Sequence, residues 1–159
     1  MRVVSKKSLF GVIKTARTVG FKKVALAAAL ISVNWGLYVW AVNADHALET
    51  SLGYFINPLV NVALGVLFLG EKLKPKNKVA LLVASIGVLI LSISSTSGFP
   101  WIAITLALTF GFYALIRKTL PYETLTGSTL ETLLLIGPAL FYLLFTYTQP
   151  FVATYDLQT

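Results

Sequence analysis

The chain has 159 residues, of which 57% are apolar and only 12% charged, and its mean hydropathy is +0.80. Ordinary soluble domains carry roughly twice that share of charge, and a chain this short cannot hide so much apolar surface from water, which excludes an ordinary soluble enzyme and a disordered chain alike. Cysteine is absent, which also excludes disulfides, thiolate-zinc sites and a cysteine nucleophile, and the net charge of +7 needs its own explanation.

Residues 1–23 hold Arg2, Lys6, Lys7, Lys14, Arg17, Lys22 and Lys23 and read as a basic cytoplasmic segment. Leu9, Ile13, Ala16 and Gly20 fall on one side of a helix over 8–23, so an interfacial amphipathic helix and a plain cytoplasmic segment with partial helix both fit. A signal peptide cleaved near Val42-Asn43-Ala44 is disfavoured, because the leader is long and four more apolar segments follow.

A membrane-spanning helix needs about 20 mostly apolar residues. Residues 24–42 and 50–69 are charge-free and meet that length. Residues 79–116 are also charge-free but too long for one span, and Ser94-Ser95-Thr96-Ser97-Gly98-Phe99-Pro100 breaks them, with Pro100 placed to open a helix. That gives spans over 79–95 and 100–116. The fifth span, 128–147, carries one charge, Glu131, and 148–159 follows as a tail. Lipid demands that backbone groups pair internally, and no strand-like alternation is visible. The fold class is therefore an all-α integral membrane protein, a polytopic bundle of five transmembrane helices.

All the Lys and Arg lie in three segments: 1–23, Lys72 to Lys78, and Arg117-Lys118. The other three flanks have none. The positive-inside rule then puts the N-terminus in the cytoplasm and the C-terminus, with the 148–159 tail, outside. The charge is a topology signal, and nucleic acid is not an expected partner; the lipid bilayer is.

Polar and helix-breaking residues concentrate at mid-span. Asn34 lies at the middle of span one, Asn57-Pro58-Leu59-Val60-Asn61 at the middle of span two, and Gly137-Pro138 at the middle of span five. At about 1.5 Å of rise per residue, these groups lie within roughly 4 Å of one plane. Each is costly there: an amide needs partners, Pro58 cannot donate to the Tyr54 carbonyl, and Pro138 cannot donate to that of Leu134. Asn57 and Asn61 share a helix face, as do Asn34 and Tyr38. Trp35 is too deep for an interfacial belt and suits cavity lining or packing, whereas Trp40 fits the belt. Asn34, Trp35, Tyr38, Tyr54, Asn57, Pro58, Asn61 and Pro138 are thus candidates for a midplane substrate cavity, with interhelical hydrogen bonding the plainer alternative.

Glu131 is a candidate coupling carboxylate, but Ser128-Thr129-Leu130-Glu131 also reads as a capping box, with Glu131 reaching back to the cap. The small pairs Ala80/Ala84 and Ala107/Gly111 predict close packing and mark spans three and four as scaffold. Asp45 and His46 make a poor metal site. No acid–base pair shares a face at one depth, no nucleotide-binding or protease motif occurs, and no cofactor is called for, so the chain does not read as an enzyme.

The stretches Asn34-Trp35-Gly36-Leu37-Tyr38-Val39-Trp40-Ala41-Val42-Asn43 and Ser51-Leu52-Gly53-Tyr54-Phe55-Ile56-Asn57-Pro58-Leu59-Val60-Asn61 resemble RarD-like members of the EamA type in the drug/metabolite transporter superfamily. Leu69-Gly70-Glu71-Lys72-Leu73 with Ile86-Gly87, and Gly127 with Glu131-Thr132-Leu133, are similar in the same way. The resemblance implies ten spans in two inverted repeats, with both termini cytoplasmic, in the bacterial inner membrane. It also implies transport of a small organic solute or drug, in a family named for chloramphenicol sensitivity. Residues 20–147 would match spans three to seven alone. The chain then reads as a fragment, which needs the missing helices or other protomers for activity. The alternative is a non-transporting remnant or assembly partner whose buried polar residues only pack helices.

Overall fold

The structure, a computed structural model, describes residues 21–95, 98–121 and 124–147. The basic segment up to residue 20, Thr96 and Ser97 of the turn, and the 148–159 tail lie outside the described residues.

Among the described residues five helices follow one another: α1 Phe21–Asn43, α2 Ala47–Leu69, α3 Pro75–Ser95, α4 Trp101–Lys118 and α5 Thr124–Tyr147. All five are long and apolar enough to cross a membrane. Intrahelical hydrogen bonds satisfy the backbone, which is what a lipid solvent requires. Each helix overlaps one of the apolar segments and most run a few residues past it into polar sequence.

The turns have local causes. Between α1 and α2 the His46 N–H donates to the Ala41 carbonyl at 2.8 Å, and Asp45 takes a left-handed backbone with φ 62°. Asp is among the few side chains that tolerate that region. Gly70 ends α2 with φ 65°, and both its N–H and that of Glu71 reach the Gly65 carbonyl. Pro100 caps α4 and Trp101 opens it.

Helix α4 is the centre of the bundle. It packs most extensively on α2 and then on α1, while α3 leans on α2 and α5 on α1. Glycine sets the α2–α4 distance at two levels. A β-carbon on Gly53 would stand 3.2 Å from the Ala103 carbonyl, and one on Gly111 would stand 2.7 Å from Val60 Cγ1. The buried core is small: Ala41, Ile102 and Leu106 with Leu37 and Tyr38 against them, and Val24 with Leu130.

The two small-residue pairs part ways here. Ala107 and Gly111 are buried against α2, as expected. Ala80 and Ala84 are exposed, and α3 has no buried residue in its apolar window. Span three is a peripheral helix and not scaffold: its small pair faces away from α2, the one helix it leans on, so the spacing brings no partner with it.

Candidate functional site

The middle of α1 is residue 32 and that of α2 residue 58, so Asn34 and Asn57 stand within about 3 Å of mid-helix depth, and Tyr38 and Tyr54 about 9 and 6 Å from it, toward the α1–α2 turn. Helix α4 closes the third side. A cavity of about 170 Å³ is lined by Asn34, Trp35, Tyr38, Tyr54 and Phe110. A smaller space of about 30 Å³ shares Asn34, Tyr38, Tyr54 and Phe110 and adds Asn57, with Thr50, Gly53 and Leu106 at its walls. None of these lining residues is charged. The rings are nearly perpendicular: Trp35 to Tyr38 at 5.8 Å and 81°, Tyr38 to Tyr54 at 6.0 Å and 74°.

The amides are used in different ways. Asn34 Nδ2 donates to the Leu106 carbonyl and to Thr109 Oγ1, each at 2.8 Å, so this nitrogen ties α1 to α4. Asn61 Nδ2 donates to Asn57 Oδ1 at 3.0 Å within α2. That bond crosses to no other helix. Asn61 lies on a separate cavity of about 230 Å³ between α2 and α4, with Gly65, Gly111 and Lys118 also in its wall. The hydrogen-bonded pair Asn57–Asn61 therefore joins the walls of two cavities along the α2–α4 seam.

The structure brings Asn34, Trp35, Tyr38, Tyr54 and Asn57 together. Pro58 sits inside α2 between the two asparagines but is exposed and lines none of the cavities described above. Pro138 is exposed on α5, outside that cluster. Phe110 and Thr109 belong to the site and were not anticipated. A signal for Thr109 existed: Thr105, Thr109, Tyr113 and Arg117 recur every fourth residue and share one face of α4.

Glu131 requires a correction. Helix α5 begins at Thr124, so Ser128 is already helical and its carbonyl accepts from Thr132 Oγ1; no capping box forms. The Glu131 side chain is buried instead. Tyr113 Oη donates to Oε2 at 3.1 Å and Arg117 Nη1 to Oε1 at 3.2 Å, so two residues of α4 grip α5. The preceding Thr124 to Gly127 carry no charge and little bulk to mark the helix start, which is why Ser128 looked like the cap. In the α1–α2 turn, His46 Nδ1 meets Glu49 Oε1 at 2.9 Å and its ring stacks on Trp40, which in turn contacts Trp101.

The model of the EamA-like transporter family matches residues 5–93. Protein RarD of Streptomyces exfoliatus is 50% identical over 125 residues, covering 79% of this chain and 39% of that protein. Protein RarD of Escherichia coli (strain K12) is 47% identical over 119 residues, 75% of this chain and 40% of that protein. A chloramphenicol-sensitive protein RarD of Pseudomonas aeruginosa is 37% identical over 115 residues, 72% of this chain and 38% of that protein. The chain thus spans about two fifths of the length of these curated relatives. No solved structure matches it. A family match over more than half of the chain, on five helices able to span a membrane, makes the chain a member of the EamA-like transporter family.

Proposed function

We propose that the chain forms part of a secondary transporter that moves a small organic solute across the bacterial inner membrane through the cavity between α1, α2 and α4. The observation that carries this reading is the use of Asn57 and Asn61. Their mutual bond holds no helix to another, so their cost at mid-depth is not repaid by packing. A water-filled or solute-filled cavity repays it. Asn34, by contrast, has the bonding expected of a helix strut and contributes to the cavity wall at the same time. The ion pair on Glu131 supports a positioning role for that carboxylate rather than a coupling role. The basic loops face the cytoplasm, and the open side of the cavity is covered by further helices or by other protomers. Chloramphenicol, the drug in one relative's name, is the first solute to assay.

The test uses a chimera in which residues 20–147 replace the matching segment of the Escherichia coli relative. Asn57→Ala and Asn61→Ala should leave insertion intact and lower uptake or drug sensitivity by about tenfold, if each amide supplies about 1.4 kcal/mol of differential binding. Falling yield with unchanged activity per folded molecule would instead assign both amides to helix packing.

A further inference from the structure

The cavity between α1, α2 and α4 has a size, a charge character and a hydrogen-bonding pattern, and together they point to a guest. Its larger part measures about 170 Å³. An apolar protein cavity of about 150 Å³ takes up benzene, so the larger part has room for one six-membered ring. The adjoining space of about 30 Å³ exceeds the roughly 10–15 Å³ that one water needs and suits a hydroxyl or a carboxamide head.

The walls decide between kinds of ring. Trp35, Tyr38, Tyr54 and Phe110 supply four aromatic surfaces. Trp35 and Tyr54 keep 58% and 60% of their surface free, so they have faces and edges to offer. The perpendicular contacts already present show the geometry a further aromatic ring extends, edge against face. A saturated ring of the same size forfeits that quadrupole match.

Charge is judged from the lining that α1, α2 and α4 supply. Among the described residues, no acidic or basic side chain borders either part of the cavity, so an ion entering it would lose its water and find no counter-charge on these three helices. Aromatic faces attract cations, but without a carboxylate the desolvation of an exposed ammonium group is left unbalanced. The amides suit a neutral polar head instead. Asn34 Nδ2 and Asn57 Oδ1 are engaged, which leaves the Asn34 carbonyl oxygen to accept and the Asn57 amide nitrogen to donate.

We infer that the cavity selects an uncharged solute bearing one aromatic ring and a small head that both donates and accepts a hydrogen bond. This rests on the cavity being a solute site, as proposed above.

Benzamide is the probe, compared with benzoate, benzylammonium and cyclohexanecarboxamide, on the full chain in lipid nanodiscs. The chain has no cysteine, so Asn57→Cys gives a single reporter in the cavity and Thr119→Cys a control at the end of α4. A fragment this small binds with a Kd on the order of 1 mM, and the reporter lacks one amide worth about tenfold, so about 20 mM benzamide should slow labelling of the 57 thiol by a small hydrophilic reagent about threefold. The other three probes should slow it less than half as much, and the control should not respond. Saturation transfer from the unsubstituted chain to the benzamide ring protons, above that of empty nanodiscs, checks binding without any substitution. Equal protection by the saturated ring or by either ion would overturn the solute class and leave the cavity standing. A 57 thiol that stays unreactive without any probe, while the control reacts, would overturn the cavity and the class with it. Ring-proton transfer no greater than from empty nanodiscs would overturn the class even if labelling behaved as expected.

Discussion

The Arg117–Glu131 pair makes the sharpest prediction about what holds α5 in place. The side chains are 14% and 6% exposed, and their helices share little backbone contact, so the pair and Tyr113 are the main polar link between α4 and α5. Removing one partner of a buried ion pair costs about 3–5 kcal/mol, chiefly because the other charge keeps its desolvation penalty. Arg117 is one residue from the end of α4 and partly reaches solvent, which places Glu131→Ala at the lower end, about 3 kcal/mol. Glu131→Gln keeps the volume and one acceptor but loses the charge, for about 1–3 kcal/mol. The double variant Arg117→Met/Glu131→Leu should recover most of the loss, since apolar replacement of both partners is often neutral. Unfolding of the detergent-solubilised chain, followed by loss of helical circular dichroism against denaturing detergent, measures all three. A capping box predicts a different pattern: Glu131→Gln harmless, Ser128→Ala costing about 1 kcal/mol and Arg117 substitutions silent. That pattern would refute the ion-pair account.

Three further outcomes are expected. Gly111→Leu should cut the yield of monodisperse protein in size-exclusion chromatography, because the added β-carbon alone would stand 2.7 Å from Val60 and overpacking costs about 1–3 kcal/mol, whereas Ala84→Leu on exposed α3 should leave it unchanged. Equal yields would mean α2 and α4 do not approach as described. Asn34→Ala should lower the thermal midpoint of the purified chain through two lost α1–α4 hydrogen bonds, about 1 kcal/mol together, and an unaltered midpoint would deny it the strut role. A reporter fused after Thr159 should read as external and one within Glu71 to Lys78 as cytoplasmic; reversed signals at both sites would invert the orientation drawn from the basic residues.

How much of this was legible in the sequence depends on which interactions a one-dimensional pattern records. Helix existence was legible, because a membrane span is a composition fact: some twenty residues without charge leave the backbone few options. The Asn57–Asn61 contact was legible too, since residues four apart on a helix must be neighbours. The partner of Asn34 was not, because Thr109 is 75 positions away and its identity is set by how α1 lies on α4. Glu131 was misread for the same reason. Its partners Tyr113 and Arg117 sit on another helix, and a local motif stood ready to explain it without them.

Helix α4 shows where closer reading of periodicity would have gained ground. Ala107 and Gly111 define one face, and Thr105, Thr109, Tyr113 and Arg117 define another. At about 100° per residue, Thr109 is rotated some 200° from Ala107, so the two sets look in nearly opposite directions. A helix with a small-residue face and a polar face on opposite sides has to have neighbours on both, because small residues gain nothing from lipid and polar ones lose by facing it. That places α4 at the centre of the bundle from its own sequence. The small face meets α2 at Val60 and Leu64; the polar face meets α1 through Asn34 and α5 through Glu131. Helix α3 has a small pair too, but Ala80 and Ala84 are exposed, and Ser85 donates back to the Leu81 carbonyl of its own turn. Thr109 of α4 bonds back in the same way, to the Thr105 carbonyl, yet its oxygen also accepts from Asn34, so it is a polar face with partners on other helices, and not the spacing of small residues, that sets α4 apart.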